Sequence, residues 1–238
     1  GYERSVKRNP LQGKASRYTL QPQQYKEVAD MPSAQPLSSF AVPASGTSGA
    51  AAPSSGVRTW IVMGDLHDKA ARLGEIQGLE EADGIIVTGD LTFPLGIMSL
   101  SLNNASPVLE FAAMMRNLNI PWAFTFGNHD TEAVASMDES SLCALYRSLS
   151  FKTSGTLLYP YVQPQITGRN NQLLELYNPD GTLNQALFLL DSNAYTGEGI
   201  NDYDFIHDDQ VDWYARQMER LNQMAGGTVA SMAFFHIP

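Results

Sequence analysis

Cysteine is nearly absent from this chain: Cys143 is the single one in 238 residues. One thiol excludes an intrachain disulfide. It stands in Leu142-Cys143-Ala144-Leu145, an apolar stretch of helical character, and reads as a small buried hydrophobe. Basic residues are also scarce, 15 Lys and Arg against 25 Asp and Glu, for a net charge of -10. That balance disfavours nonspecific binding to nucleic acid or to an anionic membrane, both of which need basic patches. It does not exclude an anionic substrate, because bound cations invert the local potential. No apolar run reaches the ~18 residues of a membrane-spanning helix, and no internal repeat is visible. No signal-peptide pattern is present; a leader could have been removed ahead of Gly1, and the compartment is left open by the sequence, with extracytoplasmic ahead of cytoplasmic.

What remains is the composition of an ordinary globular protein, 43% hydrophobic and 17% charged. The length suits one large α/β domain with a substantial core. Residues 1–57 differ from the rest. Gly1 to Lys14 is basic and polar, and Pro32 to Gly56 is rich in Pro, Ser, Ala and Gly with hardly a charge. This part reads as an appended arm or linker, with Tyr18-Thr19-Leu20 able to add a short edge strand. A second region, 58–238, alternates strand and helix.

Strands are expected at 59–63, 84–88, 122–126, 186–190 and 229–235. Helices are expected near 69–81, 106–118, 139–149 and 208–224, the first two with apolar residues at helical spacing. Residues 151–185, rich in Gly, Pro and Asn, read as irregular hairpins. The alternation predicts an α/β fold in which helices flank a mixed central sheet or sheets.

Four apolar runs end in polar clusters. Trp60-Ile61-Val62-Met63 leads to Asp65-Leu66-His67, and Ile85-Ile86-Val87 to Gly89-Asp90. Trp122 to Phe126 leads to Gly127-Asn128-His129-Asp130, and Met232 to Phe235 leads to His236. In open α/β sheets, ligands bind beyond the carboxyl ends of the strands. Four such ends bring Asp, His, Asp, Asn and His to one crevice. These oxygen and nitrogen donors suit Zn, Mn or Fe. Asp65 and His67, two apart in an extended segment, would project the same way and clamp one ion. Asp90 could bridge two ions about 3.5–4 Å apart. Taken singly, each has a plainer reading, as a turn cap or a surface histidine.

The order Asp-x-His, Gly-Asp, Gly-Asn-His-Asp and a later His resembles the calcineurin-like metallophosphoesterases. The text downstream is similar to their purple-acid-phosphatase-like branch: Leu189-Leu190-Asp191-Ser192, the stretch from Tyr203 to Tyr214, and Phe234-Phe235-His236-Ile237-Pro238. The resemblance covers roughly Arg58 to Pro238. It implies hydrolysis of a phosphoester by a hydroxide activated between two divalent ions. Asp65, His67 and Asp90 would hold one ion, and Asp90, Asn128 and His236 the other. His129 would face the substrate, with Asp130 holding its imidazole in the working tautomer. His207, in Ile206-His207-Asp208-Asp209, has no metal role in the pattern and reads as structural or pocket-edge. Purple acid phosphatases carry an iron-binding Tyr where this chain has Phe93, so no purple colour is expected.

The family pattern closes on a Gly-His-x-His segment that does not occur before Pro238. Without its two histidines each ion lacks a ligand. The expectation is therefore a chain cut within its domain, active only in the longer protein. The alternative is a non-catalytic metal-binding or interaction module that keeps the fold. The expected partner is a phosphorylated small molecule or other phosphoester, with no nucleic-acid specificity.

Overall fold

A computed structural model of the chain describes residues 39–42, 58–67, 79–94, 101–152, 156–160, 162–196 and 203–237. Seven strands and three α-helices lie in this part: β1 Ser39–Val42, β2 Trp60–Met63, β3 Gly84–Thr88, α1 Ala105–Leu118, β4 Trp122–Thr125, α2 Glu139–Lys152, β5 Gln172–Tyr177, β6 Leu183–Leu189, α3 Asp208–Ala225 and β7 Ala230–Phe234.

The strands form two sheets. β2, β3 and β4 are all parallel in that order, with Ile61 beside Ile85 and Val87 beside Phe124. The other sheet runs β1-β5-β6-β7, with only the β5–β6 pair antiparallel. Side chains alternate across each strand, and the burial follows. Ile85, Val87, Trp122 and Phe124 pack on one side with Val108, Phe111 and Met115 of α1 and Leu142 and Tyr146 of α2. Ile86 and Ala123 point the other way, against Leu174, Leu176, Leu187 and Leu189 of the second sheet. The outer face of that sheet, Leu173, Ala186 and Phe188, is covered by Trp213 and Leu221 of α3. The result is helices, sheet, sheet, helix, with β3, β4 and β5 buried on both faces.

The expected α/β class with mixed sheets and flanking helices is what the chain adopts. Cys143 is buried as read. The expected irregular hairpin is formed by the six-residue strand β5 with β6, antiparallel and with a register shift between Leu176 and Tyr177. The segment read as a linker contributes β1 beside β5. The helix expected near 69–81 falls mostly outside the described residues, which show a short 3-10 turn at Leu79–Glu81. Tyr18–Leu20 also lies outside them.

α3 begins where the His207 N–H donates to the Gln210 side chain at 2.8 Å. It ends at Gly226, whose φ of 68° is the left-handed conformation that glycine adopts freely. The carboxyl ends of β2, β3, β4 and β7 all lie at one edge of the double sheet, and the polar clusters emerge there.

Candidate metal centre

The backbone leaves β2 and β3 in an unusual way. The Asp65 N–H donates to the Gly89 carbonyl at 3.2 Å, and the His67 N–H to the Asp90 carbonyl at 3.0 Å. Asp65, His67 and Asp90 have φ of 54°, 45° and 53°. Left-handed backbone in a residue with a Cβ costs about 1–2 kcal/mol, and such strain concentrates at functional sites. The expected extended Asp65-His67 clamp is therefore corrected. The two side chains converge through left-handed turns, with His67 Nε2 3.7 Å from Asp65 Oδ1.

Asp90 is the centre of the site, with 2% of its surface exposed. Its Oδ1 accepts the His129 N–H at 2.9 Å. Its Oδ2 lies 3.3 Å from His67 Nε2 and 3.2 Å from His236 Nε2. His236 Nδ1 is 2.7 Å from the Thr88 carbonyl. A carbonyl only accepts, so this nitrogen carries the hydrogen, and Nε2 is left to act as a ligand. Burial pushes the Asp90 carboxyl up, but the hydrogen bond and charge of His236, with the His129 N–H, hold it below its ordinary value. Burial opposes a charge on His236, yet bonding to Asp90 outweighs it and pushes His236 up to about 9.

Two groups of donors share Asp90. Ligand atoms of Asp65, Asp90 and His236 lie within 4.8 Å of one another, as do those of His67, Asp90 and His129. The expected partition put His67 with Asp65, and kept His129 away from the ions. Here the short His67 contact with Asp90, on the side next to Phe93 and His129, draws it into the second group.

The loop after β4 is set by close approach. A Cβ on Gly127 would stand 2.6 Å from the Asp90 nitrogen, so only glycine fits. Asp130 does not touch the imidazole it was expected to orient. Its Oδ2 accepts the backbone N–H of Asp90 at 2.8 Å and of Gly127 at 2.9 Å. Its Oδ1 accepts the Thr92 N–H at 2.8 Å and the Thr92 hydroxyl at 3.2 Å. Asp130 thus joins the Gly-Asp turn to the Gly-Asn-His turn. Burial, then the charge of Asp90, pushes its carboxyl up to about 7.

The imidazole has a different partner. His129 Nδ1 lies 2.9 Å from Glu132 Oε1, and the Phe93 ring stacks on it at 3.8 Å. Asn128 is buried and donates its amide to the Tyr195 hydroxyl at 3.0 Å, leaving the amide oxygen for an ion. Tyr195 in turn donates to Glu132 Oε1 at 3.2 Å. His207 stands apart from the donor groups, paired with Asp204 Oδ1 at 2.9 Å at the start of α3. Sequence reading missed Glu132, Tyr195 and Thr92. Only Glu132 had a local signal, a carboxylate three positions after the histidine; Tyr195 is 67 positions from Asn128.

Residues 59–233 match the sequence profile of the calcineurin-like phosphoesterases. The chain is also similar to the phosphatase DCR2 of Saccharomyces cerevisiae, at 29% identity over 175 residues, covering 69% of this chain and 28% of that protein. The chain thus spans little more than a quarter of that relative's length. No described helix is long and apolar enough to cross a membrane.

Proposed function

This chain belongs to the calcineurin-like phosphoesterase family, and on that premise we propose that it hydrolyses a phosphoester at a centre of two divalent ions in the manner of the purple-acid-phosphatase-like branch. The observation that carries the reading is the membership of buried Asp90 in both donor groups. A carboxylate common to two donor groups suits a two-ion site. Oxygen and imidazole donors fit Mn, Zn or Fe. Asp65, His67, Asp90, Asn128 and His236 are the residues that would hold the ions, and His129, although it lies in the donor group of His67 and Asp90, is left for the substrate. When bound, the ions supply Lewis acidity to the phosphoryl oxygens and acidify the attacking water.

The chain's own residues do the rest. The Thr88 carbonyl fixes the His236 tautomer, and the His129 N–H fixes one Asp90 oxygen. Asp130 locks the two turns that carry Asp90 and Asn128. His129, its ring covered on one face by Phe93, protonates the leaving alkoxide. The substrate is a small phosphoester, whose charge bound ions would neutralise in place of basic side chains.

The test uses the full-length protein purified with Mn or Zn, with metal content read by mass spectrometry and turnover read on an aryl phosphate. The expected result is two ions per chain. His129→Ala should retain them and lose about 10²–10⁴-fold in kcat. A metal content near zero in an active wild type would overturn the two-ion reading.

A further inference from the structure

We propose that Glu132 is the positioning residue of His129, and that Tyr195 ties Glu132 to the ion-holding amide of Asn128. The inference rests on the catalytic role given to His129 above.

The contacts form a closed path. Glu132 Oε1 faces His129 Nδ1 at 2.9 Å and accepts the Tyr195 hydroxyl at 3.2 Å. That hydroxyl accepts the Asn128 amide at 3.0 Å, and Asn128 is bonded covalently to His129. A carboxylate oxygen accepts and does not donate. The hydrogen of the neutral ring therefore sits on Nδ1, and Nε2 carries the lone pair or the transferable proton. Phe93 lies on the ring face at 3.8 Å. One edge and one face of the imidazole are thus fixed, and rotation about the Cβ–Cγ bond is restricted.

An i,i+3 His–Glu pair at a surface contributes little by itself. This one differs in three respects. Both side chains are only 25% exposed. The acceptor oxygen is held from its far side by Tyr195. The nearer carboxylate in sequence, Asp130, is fully engaged with backbone groups of Asp90, Gly127 and Thr92 and is not placed to serve the ring. Groups that orient an active residue in this way typically carry about 10–100-fold in activity. Tyr195 also brings the loop after β6 to the centre. It pairs with Tyr203 across that loop, their rings stacked at 5.6 Å.

The experiment uses the full-length protein with Glu132→Ala, Glu132→Gln and Tyr195→Phe. The first readout is kinetic. Glu132→Ala should lower kcat about 10–100-fold with KM and metal content unchanged. Glu132→Gln, which keeps an acceptor oxygen, should recover much of the loss, and Tyr195→Phe should fall between. The second readout needs no metal and no turnover. Long-range proton–nitrogen NMR of the metal-free protein should show His129, identified by the signal lost in His129→Asn, in the Nδ1–H tautomer. Glu132→Ala should release it to a mixture. If Glu132→Ala does not fold, Glu132→Met removes the acceptor at similar size and serves instead. An unchanged tautomer, or a changed tautomer with unchanged kcat, overturns the proposal. A wild type without phosphoesterase activity would count against the proposed function, while the tautomer would still decide whether Glu132 orients the ring.

Discussion

Replacing Asp130 with Ala gives the sharpest test of how the centre is built. Its two oxygens accept three backbone N–H groups, from Asp90, Gly127 and Thr92, and the Thr92 hydroxyl. Removing the carboxylate orphans three buried donors at about 1–3 kcal/mol each, a gross loss of roughly 3–9 kcal/mol. A second effect runs the other way. Burial and the Asp90 charge push Asp130 up to about 7 from an ordinary 3.8. A carboxyl raised in the folded state adds stability that is fully present below about pH 4 and lost as pH rises through 7. At pH 7 this loss is of order 4 kcal/mol at 1.36 kcal/mol per unit, and the Ala variant no longer suffers it. The net destabilisation at pH 7 is therefore about 2 kcal/mol from the middle of that range, a sizeable share of a stability of about 5–15 kcal/mol. It should grow as the pH falls toward 5. The assay is urea unfolding of metal-free wild type and Asp130→Ala at pH 5 and pH 7. A difference below about 1 kcal/mol at both would show that Asp130 does not hold the turns. A difference that shrinks with acid would show that the buried carboxyl stays charged, and that the pH reasoning is wrong.

Two further outcomes are expected. Loading iron into the full-length protein should give no strong visible charge-transfer band, because Phe93 stacks on His129 and offers no phenolate; a purple protein would mean that another tyrosine ligates. His236 is pushed up to about 9 without metal, so it is protonated at neutral pH and must shed that proton to ligate. Calorimetry in buffers of different ionisation enthalpy should show about one proton released per chain by His236 on metal uptake at pH 7, and that proton should be missing in His236→Asn; equal release in both would refute the ligand assignment of His236.

The sequence made the strands of the parallel sheet legible, because β2, β3 and β4 are short apolar runs between polar stretches. It made the donors legible for the same reason, since each lies within a few residues of a strand end. β5 was hidden by its neighbours and by its own Glu175. That residue is buried and bonded to Arg220 at 2.6 Å, a partner 45 positions away that no local pattern announces. β1 was hidden in a segment whose composition is that of a linker. The partners of His129 were misassigned because adjacency in sequence favoured Asp130. The turn instead aims Asp130 at the backbone and brings Glu132 to the ring. The left-handed conformations of Asp65, His67 and Asp90 were invisible, since none of these is the glycine that usually marks such a position.

Those three conformations bear on the history of the chain. At each, glycine would relieve about 1–2 kcal/mol of backbone strain while deleting a donor, a relief offset at Asp90 by the lost bonds to His129 and His236. A lineage freed from binding ions would therefore slide downhill, gaining robustness as it lost chemistry. Asp65, His67 and Asp90 stand against that slope. Keeping them is a persistent expense in folding, and all three fall together at the proposed metal centre.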